Sequence, residues 1–233
     1  MMDLSKYGVL DKVNMPEDVK KLNNNELKEL CSDIRSFLIE NVSKTGGHLA
    51  ANLGIVEISV AVAKLFDMPS DKVVYDVGHQ CYVHKILTGR KHDMEHIRSM
   101  DGISGFLRPE ESKYDAVVSG HASTSISSGI GLLRGDMLMG RKNKVVCIIG
   151  DGAMTGGMAY EALNNAARLD TNYIIVLNDN NMSISENVGG MNKYLNKIRT
   201  GDKYLGLKNS VSSALVKAMP QKGDEVVKGI RKF

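Results

Sequence analysis

Tryptophan is absent from this 233-residue chain, and Phe and Tyr bring the aromatic share to only 5%. Aliphatic side chains and 13 methionines must therefore fill the core. Long apolar runs are missing too. Stretches such as Val145–Ile149 fall far short of the ~20 residues that a membrane-crossing helix needs, so no membrane partner is expected. Charge of one sign does not dominate: 30 Lys and Arg against 27 Asp and Glu leave +3. That balance, with no basic stripe interleaved with aromatics, gives no argument for nucleic acid. The three cysteines, Cys31, Cys81 and Cys147, fit no C-x-x-C metal spacing; their odd number and scatter suit a reducing cytoplasm. The opening MMDLSKYGVLDKVNMPEDVKKL is charged throughout and carries no apolar signal core. What remains, 42% hydrophobic and 24% charged residues, is the composition of an ordinary soluble globular protein.

Periodicity divides the first 180 residues into alternating elements. ELKELCSDIRSFLIENVSKT, preceded by Asn23–Asn25, reads as a capped helix with Leu27, Leu30, Ile34, Leu38 and Ile39 at helical spacing. IVEISVAVAKLF reads as a second, largely buried helix. KVVYDV, AVVSGHAST, KVVCIIG and NYIIVLND read as strands. HKILTGR and DMEHIRSM read as short surface helices, which puts His84, His92 and His96 at the surface. SISSGIGLLRGDMLMG and MTGGMAYEALNNAARL read as further helices, the latter with a stripe of Met158, Ala162, Leu163, Ala166 and Leu169. Apolar β-branched strands alternating with helices imply an α/β fold, a parallel sheet with helices on both faces. Residues 1–182 are expected to form this domain. Residues 183–233, polar and rich in Gly and Asn before a weak amphipathic tail, are expected to be a flexible or weakly helical linker.

The stretch IIGDGAMTGG places Asp151 between two glycines at the end of a strand. Ligands of open parallel sheets bind beyond the carboxyl ends of the strands, and the helix that follows favours an anion. A carboxylate beside an anion is unfavourable unless a cation lies between them. Mg²⁺ takes hard oxygen ligands and is commonly shared with a diphosphate. The end of the next strand supplies further oxygens at Asn178, Asp179 and Asn180. A turn with a helix cap is the alternative for either stretch alone. A dinucleotide loop fits poorly, because Gly150, Gly152 and Gly156 are spaced one residue too wide, and no P-loop lysine follows.

His48, His79 and His121 each follow a glycine at a junction between elements. Such junctions gather at one rim of a parallel sheet, where neutral imidazoles suit proton transfer and oxyanion stabilisation. Zinc binding by any histidine trio lacks the close spacing it requires.

GDG at 150–152 with NDN at 178–180 resembles the signature of thiamine diphosphate enzymes. SKTGGHLAANLGIVE, YDVGHQCYVHKILTGR, SGHASTSISSGIG, GDGAMTGGMAYEALNN and LNDNNMSISEN narrow this, and together resemble the 1-deoxy-D-xylulose-5-phosphate synthase family from about Leu27 to Tyr204. The resemblance implies a transketolase-like first domain and the cofactors thiamine diphosphate and Mg²⁺. It implies a transferase that condenses pyruvate with glyceraldehyde 3-phosphate, losing CO₂ through a cofactor-bound enamine, in the cytoplasm and as a homodimer, for isoprenoid (terpenoid), thiamine and pyridoxal biosynthesis. It implies Asp151, the Asn180 side chain and the Met182 carbonyl as metal ligands, and Gly152 and Ala153 at the diphosphate. Gly120, His121, Ala122 and His79 would line the cofactor, and His48 and His79 would face the reacting centre. Ala51 and Ala122 stand where many members carry serine. Family members are much longer, and their second domain supplies a glutamate and much of the substrate phosphate site. The chain is therefore expected to be a first domain, inactive alone; a split subunit or a stand-alone binding module is the alternative.

Overall fold

The computed structural model describes residues 4–169 and 171–179, together with Gly190 and Lys197. The chain divides into two compact units, Met1–Glu186 and Asn187–Phe233. The segment expected to be a linker lies outside the described residues, except for Gly190 and Lys197, which are helical and exposed.

Helix α1 (Pro16–Lys21) leads to the long α2 (Asn24–Thr45). Asn23 starts α2 by accepting hydrogen bonds from the Asn25 and Glu26 amides, while Glu26 reaches back to the Asn23 amide, a reciprocal cap that satisfies orphan donors. Leu30, Ile34, Phe37 and Leu38 of α2 are buried, whereas Ile39, expected on that stripe, is 50% exposed. The short α3 (Leu49–Leu53) and α4 (Val56–Leu65) follow, then strand β1 (Lys72–Tyr75). After α5 (Tyr82–Lys85) come irregular turns, α6 (Ser125–Leu138), β2 (Val145–Gly150), α7 (Gly157–Ala166) and β3 (Tyr173–Asn178).

The three strands form a parallel sheet in the order β1-β2-β3. Alternation along them feeds two cores. Val73, Tyr75, Val146 and Ile148 pack with α2 and α4 on one face. Val74, Val145, Cys147 and Ile149 pack with α6 and α7 on the other. Helices therefore cover both faces, as the alternating pattern implies.

Further expectations fail locally. AVVS at 116–119 forms no strand: Val117 packs against Val74, Leu133 and Val145 on a sheet face, while Val118 is exposed. The α7 stripe holds at Ala162, Leu163, Ala166 and Leu169, which pack on the core, but Met158 is half exposed and Ala159 is buried. The small alanines let α7 lie close to Cys147 and Ile149, and Leu169 falls beyond the helix end.

HKILTGR is buried, not superficial. Its charges are neutralised internally. Lys85 pairs with Glu111 at 2.5 Å, and Arg90 holds Asp115 through two hydrogen bonds of 2.8 and 2.7 Å. His84, expected at the surface, is 3% exposed, edge-on to Tyr75 at 5.5 Å, with Nε2 3.3 Å from Asp115. His92 and His96 are exposed, as expected.

Candidate functional site

The site grows from the carboxyl ends of β1 and β2, which lie side by side because the strands are parallel. Beyond β1, the Asp76 amide still donates to the Ile148 carbonyl (2.8 Å). The chain then turns sharply through Val77 at φ +59° towards His79. A β-branched residue in the left-handed region is a genuine outlier, and such strain concentrates at functional sites. Beyond β2, the register pairs Gly150 with Asn178, and the Asp151 amide donates to the Asn178 carbonyl at 3.3 Å. Asp151 and Asp179 therefore leave the sheet as neighbours. A 3-10 turn, Ala153–Thr155, follows, its first hydrogen bond running from the Met154 amide to the Asp151 carbonyl.

His48 sits at the start of α3, and its ring meets that of His79 edge-on, with centroids 5.3 Å apart. Phe106 lies 6.4 Å from the His48 ring. Burial, then the nearby Arg98 charge, lowers the His48 pKa from 6.5. Burial, then His48 itself, lowers that of His79, against an opposing pull from Asp76. Both imidazoles are thus neutral at pH 7, each with one donor and one acceptor nitrogen. Asn52, fully buried, holds the pair. Its amide donates to the carbonyls of both His48 (2.8 Å) and His79 (2.9 Å), and its oxygen accepts from the Tyr82 amide (2.8 Å). Tyr82 packs beneath the turn before His48, where a Cβ on Gly47 (φ +141°) would stand 2.6 Å from its hydroxyl.

Gly120, His121 and Ala122 are exposed in the loop leading to α6. Ser123 brings this loop to the β2 turn by donating its hydroxyl to the Ala153 carbonyl (2.6 Å). The structure thus places His48 with His79, and the loop that carries Gly120–Ala122 reaches the β2 turn at Ala153 through Ser123. Among the described residues, His121 takes no part in the His48–His79 ring contact. Asn180 and Met182 lie outside the described residues.

The residues present fit a polar, anionic ligand. The buried His79 Nδ1 has no hydrogen-bond partner among the described residues, a state that calls for an explanation such as a bound group. Beside Gly120 there is open space where a side chain would begin. For a cation, Asp151 offers hard carboxylate oxygens that suit Mg²⁺. Among the described residues, no three His, Cys, Asp or Glu side chains gather as a metal centre.

Asn52, Asp76 and Ser123 are not singled out by the sequence reading. The available signal was positional: Asp76 stands beyond β1 as Asp151 stands beyond β2.

A parallel sheet clad on both faces, with strand-end loops carrying GDG and paired histidines, is a transketolase-type α/β domain. Transketolase from Leishmania mexicana has this fold: TM-score 0.58 at 16% identity, over 84% of this chain and 31% of that one. A family model described as 1-deoxy-D-xylulose-5-phosphate synthase matches residues 10–233, and the chain belongs to that family. The synthase of Lachnoclostridium phytofermentans is 55% identical over 219 residues, 94% of this chain and 35% of the relative. That of Syntrophomonas wolfei is 50% identical over 225 residues, 97% of this chain and 35% of the relative. The chain thus spans about a third of the length of these curated relatives. Among the described residues, no helix is long and apolar enough to cross a membrane.

Proposed function

We propose that this chain is the cofactor-diphosphate-binding part of a 1-deoxy-D-xylulose-5-phosphate synthase, which takes pyruvate and glyceraldehyde 3-phosphate as substrates. What supports the proposal is the His48–His79 ring pair after β1 and Asp151 after the adjacent parallel strand β2. Asp151, the Asn180 side chain and the Met182 carbonyl hold Mg²⁺. Backbone groups of Gly152 and Ala153 meet the diphosphate, and Gly120, His121, Ala122 and His79 line the cofactor. When bound, thiamine diphosphate supplies the carbanion chemistry that releases CO₂ from pyruvate and joins the remaining two carbons to an aldehyde. His48 and His79 hold and move protons at their ring nitrogens beside the substrate carbonyls, a task for which neutral imidazoles are suited near pH 7. The complete enzyme works as a homodimer in the cytoplasm; three buried free cysteines accord with a reducing compartment.

Calorimetric titration of thiamine diphosphate, with and without Mg²⁺, tests the site. Binding that requires Mg²⁺ and is lost in Asp151→Ala is the expected result. Binding unaffected by that substitution would remove Asp151 from the metal site.

A further inference from the structure

We infer that Ser123, anchored by Asp76, is a positioning residue that presets the turn after Asp151 for its ligand; this rests on the proposed diphosphate site. Ser123 is 5% exposed and adopts φ +68°, a conformation that an L-residue other than glycine takes only when its surroundings impose it. Two hydrogen bonds impose it here. The Ser123 amide donates to Asp76 Oδ1 (2.8 Å), and its hydroxyl donates to the Ala153 carbonyl (2.6 Å).

Asp76 is itself held on all sides. It is 1% exposed, its amide is bound to β2, and its Oδ2 accepts from the Ser125 amide (3.1 Å) and hydroxyl (2.6 Å). A buried carboxylate with three donors, at the start of α6, is compensated by charge-assisted hydrogen bonds and by the helix dipole. The chain of contacts runs from the end of β1, through Asp76 and Ser123, to the residue that follows Gly152. Gly156 completes the fit, because a Cβ there would overlap the Ser123 hydroxyl.

Glycine would accept φ +68° without strain. A serine held there is explained by its hydroxyl. The Ala153 carbonyl accepts both that hydroxyl and the Gly156 amide (3.3 Å) that closes the 3-10 turn. Removing the hydroxyl loosens the turn that carries Gly152 and Ala153, without disturbing either core.

Ser123→Gly and Ser123→Ala separate positioning from folding. Both lose the hydroxyl, but only glycine relieves the backbone. Thermal stability should therefore order with Ser123→Gly above Ser123→Ala. Both variants should show faster amide exchange at Met154, Thr155 and Gly156. Both should also bind thiamine diphosphate with Mg²⁺ about five- to tenfold more weakly, the effect of losing one hydrogen bond's worth of preorganisation. Affinity that tracks stability across the two variants overturns the proposal, as does unchanged exchange at those three amides. Asp151→Ala, run in parallel, keeps the two readings apart. Should the unaltered chain bind no cofactor, the diphosphate site fails while the exchange measurement still decides the brace.

Discussion

A carboxamide offers two donors and an acceptor in one plane, and Asn52 uses them on three backbone groups from two loops. Its substitution reaches beyond a lost side chain. Asn52→Leu strands the His79 carbonyl and the Tyr82 amide, each at a cost of roughly 1–3 kcal/mol when buried, while the His48 carbonyl keeps the residue-52 amide (3.3 Å). We expect a loss of about 2 kcal/mol or more, which is a fall in melting temperature of roughly 4–8 °C or more for a domain of this size. We also expect the imidazole resonances of His48 and His79 to titrate independently once the loops separate. Calorimetry and NMR titration check both; a melting temperature within a degree of the unaltered chain's would refute the assignment. Why the sequence reading passed over such residues is physical. Asn52, Asp76 and Ser123 look like ordinary polar positions at loop and helix ends. Their partners lie 27, 47 and 30 positions away, beyond any local pattern. His48, His79 and Asp151 were legible because glycines mark their turns.

The segment from His84 to Arg90 shows where patterning misleads at the scale of an element. Its basic residues read as a solvated helix, yet their counter-charges, Glu111 and Asp115, arrive more than twenty positions later. Burial raises the Asp115 carboxyl, but the hydrogen bonds from Arg90, with His84 close by, outweigh that and hold it well below its usual range. Burial also lowers the pKa of His84 below 6.5. As pH falls below about 6.5, the unfolded chain takes up the His84 proton before the native one does, so native stability declines. The stability that comes from Asp115 is fully present above about 3.8 and is lost only below it. Between pH 7.5 and 5.5 Asp115 does not contribute, and His84 acts in the same direction as His48 and His79, whose pKa values are also lowered. His84→Gln should therefore show a shallower fall in melting temperature across that interval than the unaltered chain. Parallel slopes would exclude His84 as a contributor. The strands and long helices, in contrast, were readable, because caps such as Asn23 with Glu26 and β-branched runs act within a few residues. AVVS carried the same β-branched signal, but without a neighbouring strand Val117 packs on a sheet face instead.

At the scale of the molecule, the described residues assemble one rim of a site, and the chain spans 35% of its relatives' length. We expect the chain alone to release no CO₂ from pyruvate in the presence of thiamine diphosphate, Mg²⁺ and glyceraldehyde 3-phosphate. Sustained CO₂ evolution above the cofactor blank would show that these residues suffice for decarboxylation.

The sheet order also governs timing. β1 finds its partner only when Val145 arrives, more than seventy residues after Lys72. At about 5–20 residues per second on the ribosome, β1 waits for roughly 4–15 s with Val74 uncovered. β3 must follow before β2 is paired on both sides. During synthesis, the helices ahead of β1 are complete long before the sheet they cover. The nascent chain therefore passes through an interval in which one finished apolar layer faces water, and that interval is where a chaperone would have most to bind.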